Sequence, residues 1–97
     1  MRSLVIFAYT SKNHLVDGRS IVIPKTEITV HIEWPLEKHA DEKLISNDPR
    51  GFSREIIADR LAEACRGRKM TCDYEPRLYG IYYVANNDLY HFIFVAT

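Results

Sequence analysis

Residues 78–96 read Leu78-Tyr79-Gly80-Ile81-Tyr82-Tyr83-Val84, then Ala85-Asn86-Asn87-Asp88, then Leu89-Tyr90-His91-Phe92-Ile93-Phe94-Val95-Ala96. Two apolar runs of strand length around a cluster of turn formers are the signature of a β-hairpin. Asparagine tolerates the positive φ of tight hairpin turns, so Asn86-Asn87 is the expected two-residue turn. That register sets Tyr83 opposite Tyr90, Ile81 opposite Phe92 and Tyr79 opposite Phe94 on one face. The other face then carries Val84 with Leu89, Tyr82 with His91, Gly80 with Ile93 and Leu78 with Val95. Both faces are apolar, so both require a cover. Gly80 lets a backbone approach closely, which makes its face the expected seat of a helix. The ladder of Tyr79, Tyr83, Tyr90, Phe92 and Phe94 is left as the candidate partner-binding surface.

The remaining segments decide what the hairpin packs against. Phe52 to Arg66 is an amphipathic helix, with Phe52, Ile56, Ile57, Leu61, Ala64 and Cys65 opposite Arg54, Glu55, Asp59, Arg60, Glu63 and Arg66. Ser53 is placed to N-cap it and Phe52 to staple onto Ile57. Gly67 stops it, with basic residues in and just beyond the last turn. Leu4 to Tyr9 is a near-continuous apolar run, the pattern of a strand buried on both faces in mid-sheet. Asp17-Gly18 signals a hairpin that returns Arg19 to Ile23 antiparallel to what precedes it. In Thr26 to Trp34, Ile28, Val30, Ile32 and Trp34 alternate with Glu27, Thr29, His31 and Glu33, a half-buried strand expected toward the outside of the sheet. Leu36, Ala40 and Leu44 recur at a fixed spacing, so Pro35 to Ile45 reads as a short surface helix. Met70 to Tyr74 alternates again, as a half-exposed strand. Together these predict a single α+β domain over residues 1–97, with a mainly antiparallel sheet of about five to six strands in the order ββ-β-α-βββ. One amphipathic helix covers one face, with Pro35–Ile45 as a candidate second helix.

Hydrophobic residues make up 46% and charged residues 27%, the balance of an ordinary globular domain. Thirteen bases offset thirteen acids, and that neutrality disfavours a dedicated nucleic-acid or membrane-surface binder. Cys65 and Cys72 form neither a disulfide framework nor a C-x-x-C pair, and read as reduced thiols of a cytoplasmic protein. The N-terminal run lacks the length and cleavage site of a signal peptide, and no apolar stretch approaches a membrane span.

No motif carries a chemistry outright, so no catalytic residue, metal or cofactor is expected. Gly80-Ile81-Tyr82-Tyr83-Val84 is similar to the first motif of the GIY-YIG nucleases. The second strand motif, and the helix with an arginine and a metal-binding glutamate, do not follow it. Arg77, Tyr79 and Gly80 resemble part of the longer motif of RNA-recognition motifs, and Ile6-Phe7 the shorter one. Leu78, Ile81, Tyr82 and Val84 depart from that pattern, and a Pro/Gly-punctuated hairpin stands where that fold requires a helix. His31 and Glu33 share the solvated side of one strand, with His39 further along. Zinc needs three or four convergent ligands, so this pair reads as a solvated face. His91 is expected to partner Tyr82, while His14 and Asp17 flank a turn. Arg66, Arg68 and Lys69 follow the helix, and Glu27, Glu33, Glu37, Asp41, Glu42 and Asp48 precede it, which predicts a polarised surface.

The expected function is a non-enzymatic protein-binding module acting as a small inhibitor or adaptor. A phage or mobile-element protein acting on a host nuclease, helicase or defence complex is one example, and a homodimer is a further option. The alternative is single-stranded nucleic-acid binding through Tyr79, Tyr83, Arg66, Arg68 and Lys69. A small metal-dependent hydrolase using the histidines ranks third.

Overall fold

The computed structural model describes residues 4–34, 36–70 and 77–95. Its elements are β1 (Leu4–Ile6), β2 (Ile21–Ile23), β3 (Glu27–Ile32), β4 (Ala40–Ile45), β5 (Phe52–Ser53), α1 (Arg54–Cys65), β6 (Arg77–Val84) and β7 (Leu89–Val95). Five strands form a sheet in the order β1-β6-β7-β3-β4, and β2 and β5 form a separate two-stranded one. Among the described residues every strand pairing is antiparallel except β3 with β7, which sets Val30 beside Tyr90 and His31 beside His91. The α+β class with one helix on a mainly antiparallel sheet is as the sequence predicts.

The closing hairpin forms in the expected register from Gly80↔Ile93 to Val84↔Leu89. Its turn spans Ala85 to Asp88, and the positive φ falls on Asp88 (51°) rather than on either asparagine. Aspartate accepts this conformation almost as readily, and its carboxylate takes the Tyr83 hydroxyl at 2.6 Å. Between Gly80 and Leu78 a bulge breaks the register, so Leu78, not Tyr79, stands opposite Phe94. One extra residue re-aims the side chains around it. Leu78 is buried and Tyr79 is 44% exposed.

Pro35 to Ile45 is not a helix. Residues 40–45 form β4, antiparallel to β3 from Glu27↔Ile45 to Ile32↔Ala40. A four-residue spacing puts side chains on one face of a helix and equally on one face of a strand, so Leu36, Ala40 and Leu44 did not discriminate. Pairing with β3 decides between them. Pro35 itself lies outside the described residues.

The expected placement of the first and third strands is inverted. β1 is short and sits at the sheet edge, with Leu4 50% and Ile6 37% exposed, while β3 lies inside between β7 and β4. A bridge from Tyr9 to Leu15 closes a tight loop over Thr10–His14, which takes the chain off the sheet soon after Ile6. Arg54 then donates from Nε to the Ile6 carbonyl at 2.8 Å and blunts the outer edge. Asp17-Gly18 does not turn a hairpin either: β2 pairs with β5, Ile21 opposite Ser53 and Ile23 opposite Phe52. Met70 makes a bridge to Leu36; the rest of the strand expected there, Thr71 to Tyr74 with Cys72, lies outside the described residues.

Ser53 caps α1 as expected, its Oγ accepting the Ile56 N–H at 3.2 Å. The last turn contains no basic residue; Arg66 and Arg68 lie just beyond it. Ile57 and Leu61 face the sheet and join one buried cluster with Val30, Ile32, Phe52, Leu78 and Ile81. Tyr90, Phe92 and Phe94 pack against that cluster. The helix therefore covers the aromatic side of the hairpin, not the Gly80 side. What Gly80 admits is β1: a Cβ there would lie 3.1 Å from the Val5 carbonyl oxygen and 3.2 Å from Leu4 Cδ1.

Candidate functional site

Strand residues alternate between faces, so the side opposite α1 follows from register. It presents Leu4 and Ile6 from β1, Tyr82 from β6, His91 and Ile93 from β7, His31 from β3 and Asp41 from β4. None of these belongs to the core cluster. The face divides into an apolar half around β1 and β6 and a titratable half around β3 and β4.

His31 is the centre of the titratable half. Its Nδ1 donates to Asp41 Oδ1 at 2.5 Å, and its Nε2 lies 3.2 Å from Glu33 Oε1. His39 Nδ1 is 3.8 Å from the same Glu33 oxygen, and its ring meets the His31 ring edge-on at 5.7 Å. On the other flank His91 sits 5.3 Å from His31 and stacks on Tyr82 at 5.3 Å, the partnership the sequence predicts.

The hydrogen bond to Asp41 raises the His31 pKa above 6.5; partial burial opposes the rise and Glu33 reinforces it. A raised folded-state pKa stabilises the fold fully below the unfolded value, and that stabilisation is lost as pH rises through the folded one. In metal-free protein, His31 ring resonances followed by NMR should titrate above the ordinary value of 6.5, and Asp41→Asn should bring the midpoint down. A midpoint that Asp41→Asn leaves in place would remove Asp41 as the cause.

Alternation puts His31 and Glu33 on one strand face, whereas a helix over Pro35–Ile45 would keep His39 and Asp41 apart from them. A hairpin loop at 33–39 would have been the missing signal: it pairs Ile32 with Ala40 and so sets His31 opposite Asp41.

The aromatic ladder is not one surface. Tyr90, Phe92 and Phe94 lie on the helix side against the core, with Trp34 edge-on to Phe94 at 6.3 Å. Tyr83 contacts Tyr90 at 4.9 Å and lies under Lys25 Nζ at 5.1 Å. Tyr79 points away from the ladder through the bulge. Arg68 is engaged by Glu42 on β4 and by the Ala64 carbonyl, and the Lys69 carbonyl accepts the Glu37 N–H. Tyr79 and Tyr83 are on β6, with β7 and β3 between them and the strand that Arg68 meets. Three strand spacings amount to about 14 Å, so the tyrosines and the basic cluster do not form one short groove.

Neither remaining candidate has a catalytic geometry. His14 and Asp17 belong to turns, with the His14 N–H on Thr10 Oγ1 at 3.2 Å and Asp17 at φ 51°. Burial pushes the Cys65 thiol pKa up, the reverse of what a nucleophile needs. A wide groove of about 520 Å³ between β4 and α1 contains Arg60 and Glu63, which pair with each other at 2.8 Å.

The chain matches no family model, and no curated protein and no solved structure matches it. No helix among the described residues is long and apolar enough to cross a membrane.

Proposed function

We propose that this protein is a non-enzymatic binding module, a small inhibitor or adaptor, that docks another protein on the sheet face opposite α1. The observation that supports it is the row Leu4, Ile6, Tyr82 and Ile93, apolar side chains on a sheet face and outside the core cluster. Apolar surface rimmed by charge is typical of interaction sites. Arg54 blunts the β1 edge, so recognition falls to side chains rather than to strand addition.

The charged half sets the partner's chemistry. Glu33 and Asp41 beside His31 suit an apolar patch bordered by lysine or arginine. A second copy of this chain fits less well. A twofold contact lays a patch on itself, and here that sets carboxylates against carboxylates or against the apolar half.

The test compares immobilised wild type, a Leu4→Ser/Ile6→Ser double variant and an Asp59→Ser helix-surface control. A protein held by wild type and control through nuclease treatment should be lost by the double variant. Reconstituted from pure components, its affinity should fall about tenfold or more in that variant. Capture indifferent to Leu4 and Ile6 would overturn the assignment of the face. Nuclease-sensitive capture with steep salt dependence would point to nucleic acid instead. A concentration-dependent dimer of the pure chain, abolished by the same variant, would point to self-association.

A further inference from the structure

We infer that His31, Glu33 and His39 form a three-ligand site for a divalent transition metal of the zinc class, with Asp41 orienting His31. The donor atoms of the three residues all lie within 4.8 Å of one another, and two of the separations are 3.2 and 3.8 Å. A tetrahedral ion with bonds of about 2.0–2.1 Å holds its ligand atoms about 3.3 Å apart. The cluster needs only small side-chain rotations to reach that geometry, and His39, 63% exposed, is free to make them.

The supporting shell is already in place. Asp41 accepts from His31 Nδ1 at 2.5 Å, which selects the tautomer with Nε2 directed to Glu33 and available to an ion. A carboxylate behind a ligating histidine has this role in zinc sites generally. Glu33 Oε1 already stands 3.2 Å from Nε2, so an ion entering between them keeps the same partners. The loop that carries Glu33 and His39 is pinned by its backbone. Leu36 N–H donates to the Glu33 carbonyl at 2.8 Å, and Glu37 N–H to the Lys69 carbonyl at 2.9 Å.

Two imidazoles and one carboxylate favour zinc, nickel, cobalt or copper over magnesium and calcium, which take oxygen ligands. Three protein ligands leave a position open. His31 and Glu33 also line a groove of about 230 Å³ together with Tyr82 and His91. The His91 Nε2 there is buried and has no hydrogen-bond partner among the described residues. His91 therefore lies beside the cluster, on the strand between it and the apolar half of the face.

The experiment is calorimetric titration of untagged, chelator-treated protein with zinc chloride, beside cobalt(II) titration read by its visible absorption. A single equivalent of zinc should bind, with cobalt bands of tetrahedral intensity and no response to magnesium. His31→Ala and His39→Ala should each weaken zinc binding by at least about tenfold, and Asp41→Asn by about tenfold to a hundredfold. His14→Ala should leave it unchanged. The exposure of His39 makes its removal harmless to the fold, which circular dichroism checks. Zinc binding that survives His39→Ala undiminished, or the lack of any zinc heat and cobalt band at millimolar metal, would overturn the site.

Discussion

Gly51→Ala should destabilise the protein by about 3 kcal/mol or more, through left-handed strain and a backbone clash acting together. Gly51 has φ 130°, a region closed to residues with a Cβ. A methyl group there would collide with the Ile23 carbonyl oxygen and lie 2.9 Å from Pro24 Cα. Both obstacles are backbone and cannot swing aside. The residue is also tied into the loop before β5, with its N–H on the Asp48 carbonyl at 3.1 Å and its carbonyl accepting the Ser46 hydroxyl at 2.5 Å. Gly67 provides the control. Its φ is 79°, yet nothing lies within 4 Å of a Cβ there, so Gly67→Ala carries strain alone, a cost of about 1 kcal/mol. For a domain of this size each kcal/mol shifts Tm by about 4–8 °C. Melts that place Gly51→Ala no lower than Gly67→Ala would contradict the close approach of β2 to the chain leading into β5.

Phe52→Ala should cost about 3–5 kcal/mol, a large part of the stability of a small domain. The Phe52 side chain is 0% exposed and is the largest fully buried one among the described residues. It stands at the junction of β5 with α1, in the cluster that holds Val30, Ile57 and Ile81. Truncation there leaves a cavity walled by the sheet, β2 and the helix, none of which can collapse without moving the others. Phe92→Ala removes the same atoms from a half-buried position and should cost clearly less. Urea unfolding of the two variants checks the ranking. If Phe92→Ala were the costlier, the core would be centred on the closing hairpin rather than beneath α1. The ranking also bears on function. An alanine pair at Tyr83 and Phe92, the natural choice if the aromatic ladder were the docking surface, would disturb packing as well as contact, whereas Leu4 and Ile6 are outside the core.

The sites show where sequence reasoning reached and where it stopped. His31 and Glu33 are two residues apart on one strand, and alternation alone puts them on one face. His39 and Asp41 join them only if residues 40–45 fold back on β3, and the four-residue apolar spacing there was equally compatible with a helix. The aromatic ladder is divided for a related reason. Tyr83 shares a sheet face with Tyr90, Phe92 and Phe94, but a single bulge past Gly80 removes Tyr79. Gly80 inside the strand signals a bulge and a close backbone approach alike, and only the pairing with β7 and β1 shows that both occur there.

Local sequence was sufficient for the α+β class, the hairpin register from Gly80 to Val84, the capped start of α1 and its end before Gly67. Each of these rests on neighbours a few residues apart, where turn chemistry, capping and periodicity act directly. The strand order, the parallel pairing of β3 with β7 and the choice of covered face came only with the tertiary structure. A strand apolar on both sides has two equivalent faces, and the difference between them is set by distant partners. Here Leu4 and Ile6 claimed the Gly80 side as an edge strand, and Ile57 and Leu61 claimed the aromatic side. That choice packs Phe92 and Phe94 against the core and brings His31, Asp41 and His39 together on the face opposite α1.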